Sequence, residues 1–152
     1  MLSQTVGYAI RALAYLARMK DRPVLVREIS EATNIPYAFL AKIINTLGRR
    51  QFVVTQRGIR GGISLARKPE SVSLYELCVA LDDPLSKRRC ILGMPACSDE
   101  NSCPAHRFWA KHRKEEIKFL SKTTLADIAI ILDRQKRAQK RKHKDGSVSK
   151  NK

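Results

Sequence analysis

Three of the chain's four cysteines, Cys90, Cys97 and Cys103, fall in one short stretch, and His106 follows the third at i+3. Gly93, Pro95, Ser98, Asp99, Asn101 and Ser102 separate them. These are loop residues, not those of a helix or strand. Thiolates bind iron and zinc well, and imidazole is a competent fourth partner. The types and spacing therefore suit a metal or iron–sulfur site on a loop. Lys87, Arg88 and Arg89 precede Cys90, and neighbouring cations favour the thiolate, the form that binds metal. Cys78 is different. It lies on an apolar stripe with Leu74, Leu77 and Leu81, and is expected to be a small core residue.

The loop must be positioned by what flanks it. Residues 4–19 show helical apolar spacing (Val6, Ile10, Leu13, Leu16, Ala17), with Ser3 or Thr5 as cap and Asp21-Arg22-Pro23 as terminator. Val24-Leu25-Val26 reads as a short extended piece. A short helix over about 27–33 follows, then a turn at Thr33-Asn34-Ile35-Pro36. A longer basic helix begins with Pro36 at its first position and runs to about Arg50. Two helices joined by a tight turn form the helix-turn-helix pattern, although two packed helices of any α-rich domain would look similar. Gln51–Thr55 and Ile63–Ala66 read as strands around the glycine-rich turn Gln56–Gly62. This hairpin makes the pattern a winged helix-turn-helix. At its tip, Arg57 and Arg60 are placed for phosphates or a narrow minor groove, with an ordinary solvated hairpin as the alternative. Tyr37, Ala38 and Lys42, at the start of the second helix, are the candidate base readers in the major groove.

Ser73 with Glu76 at N3 is a capping box opening a short helix to about Leu81. Pro104 opens a long helix to about Lys122, with Cys103 near its N-cap. There, free N–H groups and the helix dipole favour an anionic thiolate site. Thr123 or Thr124 caps a last helix to about Arg137. Its Leu125, Ile128, Ala129, Ile131 and Leu132, with the aromatic face of the long helix, exceed what a solvated arm needs. They predict a homodimer, which suits two-fold symmetric DNA.

The fold class expected is mainly α with a small β-hairpin wing. Residues 1–82 form the winged helix-turn-helix, 83–103 the cysteine loop, 104–135 a helical dimerisation arm, and 136–152 a basic disordered tail. The 152 residues carry a formal charge of +16. From Arg134 onward, nine Lys or Arg stand against one Asp, half of that total. Such a balance implies a polyanionic partner, double-stranded DNA before an acidic membrane surface. No run is long enough to span a membrane, and the opening residues do not form a signal peptide, so a cytoplasmic location is expected. In that compartment the cysteines are expected to be reduced, metal-bound or redox-active.

Several ordered motifs resemble the winged-helix regulator superfamily that contains IscR, NsrR and RirA, over about residues 1–135. Tyr8-Ala9-Ile10-Arg11-Ala12-Leu13 is similar to its first helix, and Ile35-Pro36-Tyr37-Ala38-Phe39-Leu40 to the start of its recognition helix. Arg57-Gly58-Ile59-Arg60-Gly61-Gly62 is similar to its wing, Cys90, Cys97 and Cys103 to its cluster ligands, and Thr124-Leu125-Ala126-Asp127-Ile128 to its last helix. The resemblance implies a homodimeric DNA-binding transcriptional regulator, a repressor, with an iron–sulfur cluster whose state changes DNA affinity. Its signal would be iron, redox or nitric oxide status. His106 matches the fourth ligand of IscR-like members. Gly7 stands where NsrR-like members carry an acidic residue. Six residues separate Cys90 from Cys97, more than in IscR-like loops, so cluster nuclearity stays open between 2Fe–2S, the favoured form, and 4Fe–4S. The base-reading positions of IscR are Ala38, Ala41 and Lys42 here, which implies a different DNA target. Two alternatives remain: a winged-helix protein with structural zinc at the same loop, and a thiol-redox enzyme. No C-x-x-C, phosphate loop or Ser/His/Asp set supports the enzyme.

Overall fold

The structure, a computed structural model, describes residues 2–19, 22–87, 89–94, 100 and 102–135. It is mostly helical, with one two-stranded antiparallel sheet. Helix α1 (Gln4–Ala17) starts at Ser3, whose hydroxyl accepts the Val6 N–H at 3.4 Å. It ends at Ala17, two residues earlier than apolar spacing suggests. Val6, Ala9 and Leu13 on its inner face are fully buried. A leucine buried this way contributes about 1.5–3 kcal/mol.

Helices α2 (Val26–Thr33) and α3 (Tyr37–Arg49) form the helix-turn-helix. Asn34 closes α2 in the left-handed region (φ 52°), where asparagine is tolerated. The turn is locked twice. The Ile35 N–H donates to the Ser30 carbonyl at 3.2 Å, and the Ser30 hydroxyl donates to the Ile35 carbonyl at 2.6 Å. Ile35 and Leu40 drop from this turn into the core. Pro36 is the N-cap of α3, one place before the expected first helical position.

Strands β1 (Val53–Gln56) and β2 (Gly62–Leu65) pair with Val53 opposite Leu65 and Thr55 opposite Ile63. Both are shifted by a residue or more from the spans expected, Gln51–Thr55 and Ile63–Ala66. Gln51 takes φ 59° in the turn that leaves α3, so it cannot extend the strand. The extended piece before α2 acquires a role here. Val24 bridges Ile63 through N–H···O bonds of 2.9 and 2.8 Å, giving the wing a third edge. Gly62 permits this approach, since a Cβ there would sit 2.7 Å from the Val24 nitrogen.

Helix α4 (Leu74–Ala80) carries the capping box of Ser73 and Glu76. Helix α5 (Pro104–Lys122) and helix α6, over residues 125–135, complete the chain. The α5–α6 corner is stitched to the start of α4. Leu74 N–H donates to Thr123 O at 2.9 Å, and Leu125 N–H to Val72 O at 3.0 Å. Leu125 is fully buried in the head's core and Ala129 nearly so, while Arg18 of α1 pairs with Asp133. These two apolar residues are therefore consumed within the chain and are not surplus for a partner. Ile130 and Ile131, with Phe108 and Phe119 on α5, remain exposed. No helix among the described residues is long and apolar enough to cross a membrane. The tail, 136–152, lies outside the described residues, as does Asp21 at the expected end of α1.

Candidate nucleic-acid interface and cysteine loop

Helix α3 splits by face. Leu40, Ile43, Ile44 and Leu47 are buried, whereas Tyr37, Ala38, Phe39 and Lys42 face solvent. The exposed aromatics are held by their neighbours. Phe39 meets Tyr8 edge-on at 6.3 Å between centroids, and the Arg11 guanidinium lies 5.5 Å from the Tyr8 centroid while donating to the Thr33 carbonyl. Arg11 thus ties α1 to the helix-turn-helix turn, a link that the sequence motif Tyr8–Leu13 does not by itself disclose.

Arg57 and Arg60 are exposed at the wing. The tip is a tight turn in which Gly61 N–H donates to Gly58 O at 2.9 Å. Gly58 has φ 110°, and a Cβ on Gly61 would lie 2.5 Å from the Gln56 carbonyl oxygen. Both glycines are conformational requirements of the tip that carries the arginines. Ile59, between them, is fully exposed.

The cysteine loop hangs from two anchors. At its start, Asp83 is buried (1% exposed) and accepts the Ser3 N–H and the Leu85 N–H, each at 2.9 Å. Burial pushes the Asp83 carboxyl up, but the hydrogen bonds from Ser3 and Leu85 outweigh it and hold the pKa below the usual carboxylate range. Asp82-Asp83-Pro84 reads in sequence only as a helix breaker; its Asx-turn chemistry was the signal available for this role. A few residues on, still ahead of the first cysteine, the Trp109 indole N–H donates to Arg89 O at 3.0 Å and the Arg113 guanidinium to Leu85 O at 3.4 Å. Both donors sit on α5, and neither is marked by a sequence motif.

Cys90 and Cys103 are half-buried. Cys90 O accepts Gly93 N–H at 3.1 Å, in a turn where Gly93 has φ 73°. Cys103 is the N-cap of α5, makes no side-chain cap bond, and its carbonyl accepts the His106 N–H at 2.9 Å. His106, in the first turn, is buried (6% exposed). Cys97 lies outside the described residues, and among the described residues no group of three or more His, Cys, Asp or Glu is gathered for a metal. The donor set nevertheless fits a soft metal centre: thiol and imidazole lie within one turn at the start of α5. Cys78 is fully buried on α4, and burial, with Asp83 nearby, pushes its thiol up to about 11. It stays a neutral core thiol at physiological pH.

The family model described as Rrf2, iron-dependent transcriptional regulator, matches residues 2–130. A protein of Aquifex aeolicus named as an HTH-type transcriptional regulator is 36% identical over 133 residues, covering 86% of this chain and 92% of its own. The HTH-type transcriptional regulator IscR of Yersinia pestis is 29% identical over 135 residues, covering 84% and 82%. Among solved structures, CymR, the global cysteine regulator of B. subtilis, superposes with TM-score 0.72 at 23% identity, covering 86% of this chain and 97% of its own. T. potens IscR superposes with TM-score 0.69, also at 23%, covering 91% and 90%. At that identity the two structures establish the shared fold. With the family model spanning most of its length, this chain belongs to the Rrf2 family of winged-helix, DNA-binding transcriptional regulators.

Proposed function

We propose that this regulator is a homodimeric repressor whose affinity for its operator is set by an iron–sulfur cluster on the cysteine loop. Cys90, Cys97, Cys103 and His106 would hold the cluster. The observation that carries this reading is the pairing of Cys103 and buried His106 on the first turn of α5. The family's description as iron-dependent and the IscR relatives support it. When bound, the cluster would supply a redox centre that iron supply, oxidants or nitric oxide can alter.

The chain's own residues supply the coupling. Asp83 and Ser3 fix the loop's start to the N-terminus of α1, while Trp109 and Arg113 fix Arg89 and Leu85, in the same lead-in to the first cysteine, to α5. A change in the loop would thus reach both the head and the arm. For control of DNA affinity, the loaded and empty forms must differ in their DNA-binding free energy. In the head, Tyr37, Ala38 and Lys42 would read base edges in the major groove, and Arg57 and Arg60 would hold phosphate or the minor groove.

The test is anaerobic purification, the visible spectrum, and assay of iron, acid-labile sulfide and zinc, followed by DNA titration with and without the cluster. A coloured protein with iron and sulfide, and a changed DNA affinity on its loss, is the expected result. A colourless protein with stoichiometric zinc would make the loop a structural site.

A further inference from the structure

Helix α5 has three sectors. Trp109, Arg113 and Leu120 turn toward the head and the loop; Leu120 is buried. Phe108 and Phe119 are exposed on a second sector. The third consists of Arg107, Lys111, Lys114, Lys118 and Lys122, spaced at four, three, four and four residues, all exposed. At 3.6 residues per turn they fall within an arc of about 80° and run for about 22 Å along the helix. Among the described residues none of the five forms an ion pair, and Glu115, which borders the stripe, pairs with none of them.

Nothing in the helix requires this arrangement. Like charges at i,i+3 and i,i+4 repel and destabilise a helix. Arg107 stands in the first turn, where the dipole disfavours a cation; only Lys122, in the last turn, is well placed. A solvated helix is better served by mixed signs. Five like charges in line, on a sector centred about 90° from the aromatics, match a regularly spaced polyanion.

We infer that this stripe is a second DNA-binding surface, which holds the phosphate backbone of duplex DNA without reading sequence and is separate from the helix-turn-helix and wing. The inference rests on the family's DNA-binding role, and its partner is the same polymer. Ammonium groups on long stems are point contacts for phosphate, so the attraction should appear in the salt dependence of binding rather than in sequence preference.

The experiment uses the full chain and a long duplex of mixed sequence. The slope of log affinity against log salt is measured for K111Q/K114Q/K118Q, for K111R/K114R/K118R and for R57Q/R60Q, with thermal unfolding of each. The glutamine triple is expected to lower the slope by about 0.9 for each phosphate it no longer neutralises. Its melting temperature should be equal or higher, because repulsion has been removed. The arginine triple should keep the parent slope. An unchanged slope in the glutamine triple overturns the inference, as does an equal drop in the arginine triple. If R57Q/R60Q leaves the slope unchanged while the glutamine triple lowers it, the stripe stands and the wing assignment falls. The reverse result retires the stripe alone.

Discussion

Cys78 and Cys103 stand in different surroundings. Cys78 packs between Leu74 and Leu77 on the buried side of α4, with its thiol raised to about 11. Cys103 is the half-buried N-cap of α5, one turn from His106. Cys103→Ser should therefore abolish the visible chromophore after anaerobic reconstitution, whereas Cys78→Ser should keep it and cost about 1–3 kcal/mol of stability for the buried hydroxyl. Loss of colour in Cys78→Ser would assign it, rather than His106, as a ligand. Asp83 offers a test by pH. Its folded pKa is held below the unfolded value, so its contribution is fully present above the unfolded pKa and is lost as pH falls through the folded one. The melting-temperature difference between the parent and Asp83→Asn should be constant above about pH 5 and shrink below about pH 4. A gap that persists unchanged into strong acid would show that Asp83 does not titrate with folding.

Among elements, those governed by adjacent residues were the most legible. Ser73 and Glu76 announce α4 because both halves of a capping box lie within one turn, and the structure contains both bonds. Helices α1, α2 and α3 follow from apolar spacing, with ends displaced by one or two residues because caps and left-handed turns set boundaries more sharply than periodicity does. Pairings between distant segments were not legible. Nothing in Val24-Leu25-Val26 names Ile63 as its partner, and nothing in Ser3 names Asp83. Leu125 and Ala129 illustrate a related limit, since apolar periodicity marks a face for burial without saying whether the same chain or another buries it. Residue types and spacing in the cysteine loop suggest a chemistry, but nothing in them names its anchors Trp109 and Arg113. The wing combines both kinds of information. Its glycines are readable as a turn, yet only the packing shows that a Cβ on Gly61 would lie 2.5 Å from Gln56 O. Gly61→Ala should reshape the tip that displays Arg57 and Arg60, and reduce DNA affinity by much more than it lowers the melting temperature. An affinity equal to the parent's, measured at fixed salt, would remove the tip from the DNA contact.

For the whole molecule, the distribution of exposed apolar side chains bears on assembly. Phe108 and Phe119 are 69% and 63% exposed on α5, and Ile130 and Ile131 about half exposed on α6. Scattered singly, such residues need no explanation; four large ones on the two helices of the arm make those helices the place to test for a partner. The cationic stripe is centred about 90° from the aromatics around α5 and borders them at Lys111 and Lys122, so a partner seated on the aromatics would leave most of those charges outside its contact, where burying them would be costly. On the proposed dimeric reading the occupant would be a second copy of the chain, which would hold two helix-turn-helix heads about one DNA turn apart. Phe119→Glu places a charge on the arm while leaving the buried Leu120 and Leu125 untouched. It should convert a dimer to a folded monomer by sedimentation, with the helical signal preserved. It should also weaken operator binding far more than binding to mixed-sequence duplex, since only the operator rewards two heads held at fixed spacing. A variant that stays dimeric would move the interface elsewhere on the arm. A variant that is monomeric yet binds the operator with parental affinity would break the link between assembly and recognition, and the loop's attachment to α5 would then have to act on the head within a single chain.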